Sequence, residues 1–250
     1  MGFVRIGVIA LVVGLAGPLP AVAQGMEDGI RAFSALSTGN WGLAQFYATR
    51  ALESHTLKLG DEAGVFAYRG EARRHLNDFA GAVVDYTEAI GRGVSGAFAA
   101  RVFNGRGIAL FAQEELDLAV ADYTQAIKLD PKFVEALDNR GVVYMAGGEL
   151  RRAIDDFTAA AALAPTNPIP LNNRGRAYLE VQFCEEAYQD FTAALDLNPA
   201  DPVTPLFNRG IAAECLNRPD DAFDDFAAAF DLAPDEPNYR EKFQEYGLMP

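Results

Sequence analysis

The chain has 250 residues, half of them hydrophobic, and carries 35 acidic against 21 basic side chains for a formal net charge of −14. The apolar content excludes a disordered chain and supports a sizeable core, while the acidic balance argues against binding to a nucleic-acid backbone. Two cysteines and two histidines leave no material for a thiolate-based zinc or iron–sulfur site. The composition therefore indicates a folded acidic protein without a metal or other cofactor.

The first 23 residues have the three-part layout of a secretory signal peptide. Arg5 precedes an apolar run over residues 6–16, and Ala21-Val22-Ala23 forms an A-x-A cleavage pattern. A transmembrane anchor is the alternative, but this run is far shorter than the about 20 residues that cross a hydrocarbon core. We therefore predict cleavage after Ala23 and export to the bacterial periplasm, with no membrane span in the mature chain.

A unit of 34 to 37 residues then recurs five times. Each unit has an Arg-Gly pair, an Ala twelve residues after the glycine, an aromatic residue four further on and a second Ala three beyond that. Because this small–large–small spacing lies on one helical stripe, each unit contains an amphipathic helix. We expect the glycine on the preceding helix, where a missing side chain lets two backbones approach closely. The five glycines are Gly70, Gly107, Gly141, Gly175 and Gly210.

The pattern resembles the tetratricopeptide repeat family. The match rests on residues 137–144 followed by Ala153, Phe157, Ala160 and Pro165, which fit the 34-residue signature of that family. The resemblance implies an all-α fold, a right-handed superhelical solenoid of helix-turn-helix repeats. The first unit departs from the signature, because Arg73 occupies the position of an aromatic residue.

We divide the chain accordingly. Residues 1–23 are the signal peptide, 24–61 a degenerate N-terminal helical pair, 62–234 the five repeats, and 235–250 a C-terminal capping helix or tail. The repeats are assigned to about residues 62–97, 98–131, 132–165, 166–199 and 200–234.

Every arginine before a repeat glycine has an aspartate sixteen residues later. Both positions lie near the seam between two helices, so we expect structural ion pairs rather than a charged functional track. The predicted pairs are Arg69 with Asp85, Arg106 with Asp122, Arg140 with Asp156, Arg174 with Asp190, and Arg209 with Asp225.

The family resemblance implies that the first helix of each pair lines a concave, peptide-binding groove. An asparagine recurs two residues before three of the glycines, and its carboxamide suits a peptide backbone. The alternative is that some of these asparagines only tie neighbouring helices together. In the last three units the inward positions hold Asp138, Asn139, Val142 and Met145; Asn172, Asn173, Arg176 and Leu179; and Phe207, Asn208 and Ile211.

The two cysteines and the acidic C-terminal part leave alternatives open. Cys184 and Cys215 fall at the same end of consecutive repeats, which favours a disulfide in an exported protein, although two small buried thiols would also fit. Residues 183–250 carry 15 acidic and four basic side chains. A solvated face explains them, and a basic partner or loosely bound cations are the sharper alternative.

Nothing in the sequence indicates catalysis. His55 and His75 stand in no catalytic arrangement, and the glycines form no phosphate-binding loop. We therefore predict an exported scaffold, not an enzyme, that binds a protein or peptide segment in a bacterial envelope assembly. The alternatives are a self-associating structural solenoid that forms homo-oligomers, and an acidic surface that binds a basic partner or cations.

Overall fold

A computed structural model describes residues 21–236 together with Lys242 and Tyr246. Within these residues the chain forms twelve helices and no strand, so the fold is an all-α helical-repeat solenoid. The helices are α1 (Ala21–Ser37), α2 (Trp41–Glu53), α3 (Leu59–His75), α4 (Phe79–Gly91), α5 (Gly96–Phe111), α6 (Leu116–Leu129), α7 (Val134–Ala146), α8 (Leu150–Leu163), α9 (Pro168–Glu180), α10 (Cys184–Asp196), α11 (Val203–Cys215) and α12 (Pro219–Leu232).

The helices stack as six consecutive pairs. Each helix packs on the next one along the chain, and each odd-numbered helix also contacts the next odd-numbered helix. Among residues 21–236 no two even-numbered helices contact each other to the same extent. The odd-numbered helices therefore form the inner layer of the stack, and the even-numbered helices form the outer layer.

A left-handed residue turns the chain between the two helices of every pair. The backbone φ angle lies between 57° and 75° at these positions, which lets the chain reverse within a few residues. Glycine adopts this conformation without a steric penalty. At Glu114 and Gln182 the Cβ atom lies close to the following carbonyl oxygen, so the backbone there is strained. The six positions are Gly39, Asn77, Glu114, Gly148, Gln182 and Asn217.

Each repeat glycine faces an aromatic ring rather than a second backbone. A Cβ atom added to Gly141 would lie 2.6 Å from the ring of Phe157, and one added to Gly210 would lie 2.6 Å from the ring of Phe226. The expected close approach of two backbones is therefore wrong in its detail. The missing side chain makes room for the ring of the second helix, which is fully buried in the repeat core.

This contact predicts opposite effects for two Gly→Ala substitutions. Gly141→Ala forces the Phe157 ring to move, and we expect it to lower the free energy of unfolding by about 1–3 kcal/mol. Gly42→Ala in α2 is the matched control, because its new methyl group meets nothing within 4 Å. That variant should gain up to about 1 kcal/mol from helix propensity. Urea denaturation followed by circular dichroism measures both, and equal midpoints would contradict the packing argument.

The Arg–Asp pairs join the two helices of each repeat. In all five repeats the guanidinium Nε and Nη2 atoms donate to the two carboxylate oxygens at 2.6–2.9 Å. The five aspartates are buried. In the pair of Arg140 with Asp156, the hydrogen bond from the guanidinium to the carboxylate raises the pKa of Arg140, and desolvation of the arginine only partly opposes this rise. These residues are therefore part of the framework and not a track for ligands.

Four of these arginines also reach the preceding repeat. Their Nη1 atoms donate to a threonine hydroxyl on the second helix of the pair before, at 3.0–3.4 Å. One guanidinium group thus bonds its own repeat and fixes the neighbouring repeat at the same time. The bonds are Arg106 to Thr87, Arg140 to Thr124, Arg174 to Thr158, and Arg209 to Thr192.

The ends of the solenoid can be compared with the predicted boundaries. Helix α1 begins at Ala21, so its first three residues belong to the predicted signal peptide, and a chain cut after Ala23 would begin this helix at Gln24. Residues 1–20 and most of the predicted capping helix lie outside the described residues. Of the latter segment, Tyr246 packs on Phe226, with ring centroids 5.7 Å apart.

Candidate peptide-binding groove

The predicted asparagine row faces the inner layer, but two of its members bond neighbouring helices. Asn173 is 9% exposed and donates to both carboxylate oxygens of Asp138 at 3.1 Å, which joins α9 to α7. The Asn139 side-chain amide donates to Oδ1 of the Asn104 side chain at 3.1 Å, which joins α7 to α5. Each of these two amide groups therefore already bonds a neighbouring repeat. Asn208 is half-buried on α11.

Asp138 occupies an unusual position for a carboxylate. Its burial raises the pKa, the hydrogen bond from Asn173 opposes this rise, and the charge of Glu135 adds to it, so the pKa ends above the ordinary value. The neighbouring asparagine therefore stabilises the ionised form against desolvation. A ligand at this position would have to compete with an existing bond between repeats.

Most other predicted groove residues help to fill the core. Val142 and Met145 pack on the cluster around Phe157, and Leu179 packs on the cluster around Phe191. Phe207 and Ile211 pack on the cluster around Phe226. Among the predicted inward residues, Arg176 is exposed on the inner layer. Asn172 is partly buried, and Oδ1 of its side-chain amide has no hydrogen-bond partner among the described residues.

A pocket of about 350 Å³ opens on the inner layer in the first half of the chain. We call it the N-terminal pocket, and it lies between α1, α3, α5 and the start of α7. This pocket was not among the predicted sites, because the predicted inward positions covered only the last three units. Tyr68 stands two residues before Gly70 and Asn104 three before Gly107, which are the same positions in the first two units. The pocket is lined chiefly by Phe33, Tyr68, Glu71, Phe98, Arg101 and Asn104.

The wall of the N-terminal pocket is a row of three aromatic rings on successive odd-numbered helices. Phe33 and Tyr68 have ring centroids 5.4 Å apart, and Tyr68 and Phe98 have centroids 6.4 Å apart. Phe33 is 52% exposed, and Met26 and Ile30 continue its exposed apolar stripe along α1. Exposed aromatic residues of this kind, clustered in a concavity, are typical of a binding surface.

The floor of the N-terminal pocket is a hydrogen-bonded network. The Tyr86 hydroxyl donates to Glu71 at 2.5 Å, and Arg74 donates to both oxygens of the same carboxylate at 2.5 and 3.2 Å. Gly105 makes room for the hydroxyl, since a Cβ atom there would lie 2.6 Å from it. This network satisfies the polar groups beneath the aromatic wall.

The network also sets the protonation of its members. Burial alone raises the pKa of Glu71, but the hydrogen bond and charge of Arg74 outweigh it, and the pKa is lowered overall. Burial, followed by the charge of Glu71, raises the pKa of Tyr86. Glu71 therefore stays ionised and Tyr86 stays a donor, so the Glu71 and Arg74 charges cancel within the pocket.

A disulfide joins an outer-layer helix to an inner-layer helix near the C-terminal end of the stack. Cys184 is the first residue of α10 and Cys215 the last of α11, and their Cα atoms lie 6.0 Å apart. The bond therefore fixes two consecutive repeats to each other. It leaves no free cysteine among the described residues.

The described residues offer neither a metal cluster nor a spanning helix. Residues 21–236 with Lys242 and Tyr246 contain no group of three or more His, Cys, Asp or Glu side chains that could hold a metal ion. None of the helices found there combines the length and the apolar character that crossing a membrane requires.

Sequence-family comparison agrees with this architecture. Models of the TPR repeat match residues 107–148, and models of the tetratricopeptide repeat match residues 134–167 and 172–237. Together the matched segments span just over half of the 250 residues. The chain therefore belongs to the tetratricopeptide repeat family, a family of protein-interaction modules. No curated protein sequence matches it significantly.

Solved structures share the fold at low sequence identity. The pilF protein of Pseudomonas aeruginosa has a TM-score of 0.72 at 18% identity, covering 90% of this chain and 100% of its own. PilW, a widely conserved type IV pilus biogenesis factor, has a TM-score of 0.74 at 15% identity, with 88% and 98% covered. YrrB, a TPR protein with an unusual peptide-binding site, has a TM-score of 0.59 at 20% identity, with 75% and 96% covered. These likenesses concern the fold alone.

Proposed function

We propose that this protein is an exported scaffold that binds a segment of another protein along its inner layer, with the N-terminal pocket as the main anchoring site. The carrying observation is the aromatic row of Phe33, Tyr68 and Phe98 over a pocket of about 350 Å³. Buried aromatic contacts supply much of the affinity of protein interfaces, and this row leaves such contact area open. The setting we propose is an assembly in the bacterial envelope.

Four features support this proposal. The predicted signal peptide supports export, and the fold is one that a pilus biogenesis factor also uses. The structural neighbour YrrB is a TPR protein with a peptide-binding site. The inner layer continues from the N-terminal pocket past Asn104 and Asn139 to exposed Arg176, which gives an extended segment further polar contacts.

Site-specific photo-cross-linking tests the binding surface. A photo-reactive residue is placed in the full-length chain at Phe33 or Arg176 on the inner layer, and at Asp155 or Gln189 on the outer layer. All four positions are exposed, so the substitutions should leave the fold intact. Irradiation of the cells that make the protein should give a shared cross-linked partner from the two inner positions alone. Equal yields from inner and outer positions would refute groove binding.

Export has its own expected result. The protein purified from its native cells should begin at Gln24, because the A-x-A pattern ends at Ala23. Mass spectrometry of the N-terminal peptide, after separation of periplasm and cytoplasm, measures this directly. An Ala23→Arg variant, which disrupts the cleavage pattern, is the control and should retain residues 1–23. A cytoplasmic protein that still carries the leader would contradict the prediction.

The acidic outer surface supports a second candidate function. Asp220, Asp221 and Asp224 are exposed on α12, on the layer opposite the groove. A basic partner would be attracted there, and its binding would weaken steeply with salt. A triple variant distinguishes the two surfaces; it carries Asp220→Asn, Asp221→Asn and Asp224→Asn. If the partner binds along the inner layer, this variant should keep the cross-links at positions 33 and 176. Loss of those cross-links would favour the acidic surface.

A further inference from the structure

We infer that the N-terminal pocket recognises a partner segment in which a large apolar side chain lies next to an aspartate or glutamate side chain. The inference rests on the proposed function and names the chemistry that its groove selects. It follows from the shape of the aromatic wall and from one cation whose charge no neighbouring group cancels.

The aromatic wall requires an apolar anchor. The pocket volume of about 350 Å³ lies at the lower end of the range for ligand sites, which is roughly 300–1,000 Å³. It therefore suits one large side chain and its neighbours rather than a bulky cofactor. The exposed ring of Phe33 would be covered by such a side chain, which would remove apolar surface from water.

The charges of the N-terminal pocket do not cancel completely. Its charged lining residues are Glu71, Arg74 and Arg101. Glu71 and Arg74 form an ion pair with N···O of 2.5 Å, so they neutralise each other. Arg101 is exposed and makes no ion pair among the described residues; its guanidinium carbon lies 5.7 Å from the Phe98 ring centroid. The lining of the pocket therefore carries one net positive charge, that of Arg101.

Two neutral donors accompany Arg101. Oδ1 of the Asn104 side chain accepts a hydrogen bond from Asn139, which orients the Asn104 amide group and leaves its N–H hydrogens for a ligand. Burial raises the pKa of Tyr68, and the nearby charge of Arg101 opposes this rise only in part. The Tyr68 hydroxyl therefore stays protonated. The pocket therefore offers a guanidinium, an amide and a hydroxyl beside its aromatic wall. Such donors suit a carboxylate, which accepts hydrogen bonds and complements the charge.

Selection of displayed peptides tests this inference. A random peptide library, fused at its C-terminus so that no free terminal carboxylate is present, is selected against the immobilised full-length protein and against three variants. The wild type should enrich peptides with a large apolar residue beside Asp or Glu. Arg101→Gln should retain the apolar preference and lose the acidic one, whereas Phe33→Ala should weaken the apolar preference. Arg151→Gln, which removes an exposed arginine from the outer-layer helix α8, should behave as the wild type.

A double-mutant cycle then measures the contact itself. Changing the acid of the best synthetic peptide to its amide should weaken binding to the wild type roughly tenfold, as expected for a hydrogen-bonded charge. The same change should have little effect on Arg101→Gln. Equal losses in both proteins, or enriched peptides without an acid, would overturn the inference. If peptides without an acid are enriched and still cross-link at position 33, groove binding stands and only this inference fails. If no peptide is enriched and none cross-links at position 33, both proposals fail.

Discussion

Replacing Asp85 by Ala should lower the free energy of unfolding by about 3–5 kcal/mol, which is the largest effect we expect from a single framework substitution. The Asp85 side chain is 0% exposed and accepts hydrogen bonds from two arginines. Arg69 donates to it at 2.7 and 2.9 Å, and Arg73 donates at 2.8 Å. Removing the carboxylate leaves Arg69 in a largely desolvated seam without its counter-charge, and Arg73 keeps its ion pair with Asp78 at 3.5 Å.

Asp190→Ala is the matched comparison for this variant. Among the described residues Asp190 accepts side-chain hydrogen bonds from Arg174 and from no second arginine, and 9% of its side chain is exposed against 0% for Asp85. We expect a smaller loss, and urea denaturation of both variants under identical conditions measures the difference. Arg73→Leu should cost little, because Asp85 retains Arg69 and an apolar residue occupies the same position in another repeat, as Leu110 does. An Asp85→Ala loss no larger than that of Asp190→Ala would show that the second arginine adds nothing.

Reduction of the disulfide should lower the free energy of unfolding by about 3–4 kcal/mol, according to the chain-entropy relation for a loop of this size. The bond between Cys184 and Cys215 closes a separation of 31 residues and fixes α10 to α11. The effect should concentrate in the last two repeats, since each repeat contacts mainly its neighbours. Hydrogen exchange of α10, α11 and α12 should accelerate, while α3 and α4 should keep their protection.

The double variant Cys184→Ala, Cys215→Ala controls for the reductant. Adding dithiothreitol should destabilise the wild type and leave this variant unchanged. Because Cys184 is buried, the variant also loses some packing, so reduced and oxidised wild type give the cleaner measure of the cross-link. Identical denaturation midpoints for those two forms would contradict the predicted contribution.

The repeat architecture was predictable from sequence because each unit repeats the same few packing constraints. The glycine, the aromatic residue and the two alanines recur at fixed spacing, and a helix period of 3.6 residues converts that spacing into one face. The partner of the glycine was not predictable in the same way. Spacing shows that a small residue is required, but whether a backbone or the Phe157 ring fills the space depends on the angle between the helices.

The N-terminal pocket shows a different limit. Tyr68, Glu71 and Asn104 stand at inward positions of the first two repeats, so the sequence shows where these residues belong but does not show the cavity among them. Gly105 admits the Tyr86 hydroxyl, and that hydroxyl reaches Glu71 across fifteen residues. The degenerate first pair also contributes Phe33, whose repeat position is obscured by its weak match to the signature. A cavity of this kind arises from contacts between units rather than from a motif within one.

The threonine bond between repeats gives the stack a direction and makes its units interchangeable. Arg140 and Arg174 each reach back sixteen residues to a threonine, so removing 34 residues between equivalent positions would present Arg174 to Thr124 with unchanged spacing. A chain that has lost or duplicated one middle repeat would thus form the same arginine–threonine bonds between the repeats that become neighbours. The last repeat carries Ala227 at the threonine position, and it offers no hydroxyl to a further unit. A further repeat packed on α12 would therefore lack this bond between repeats.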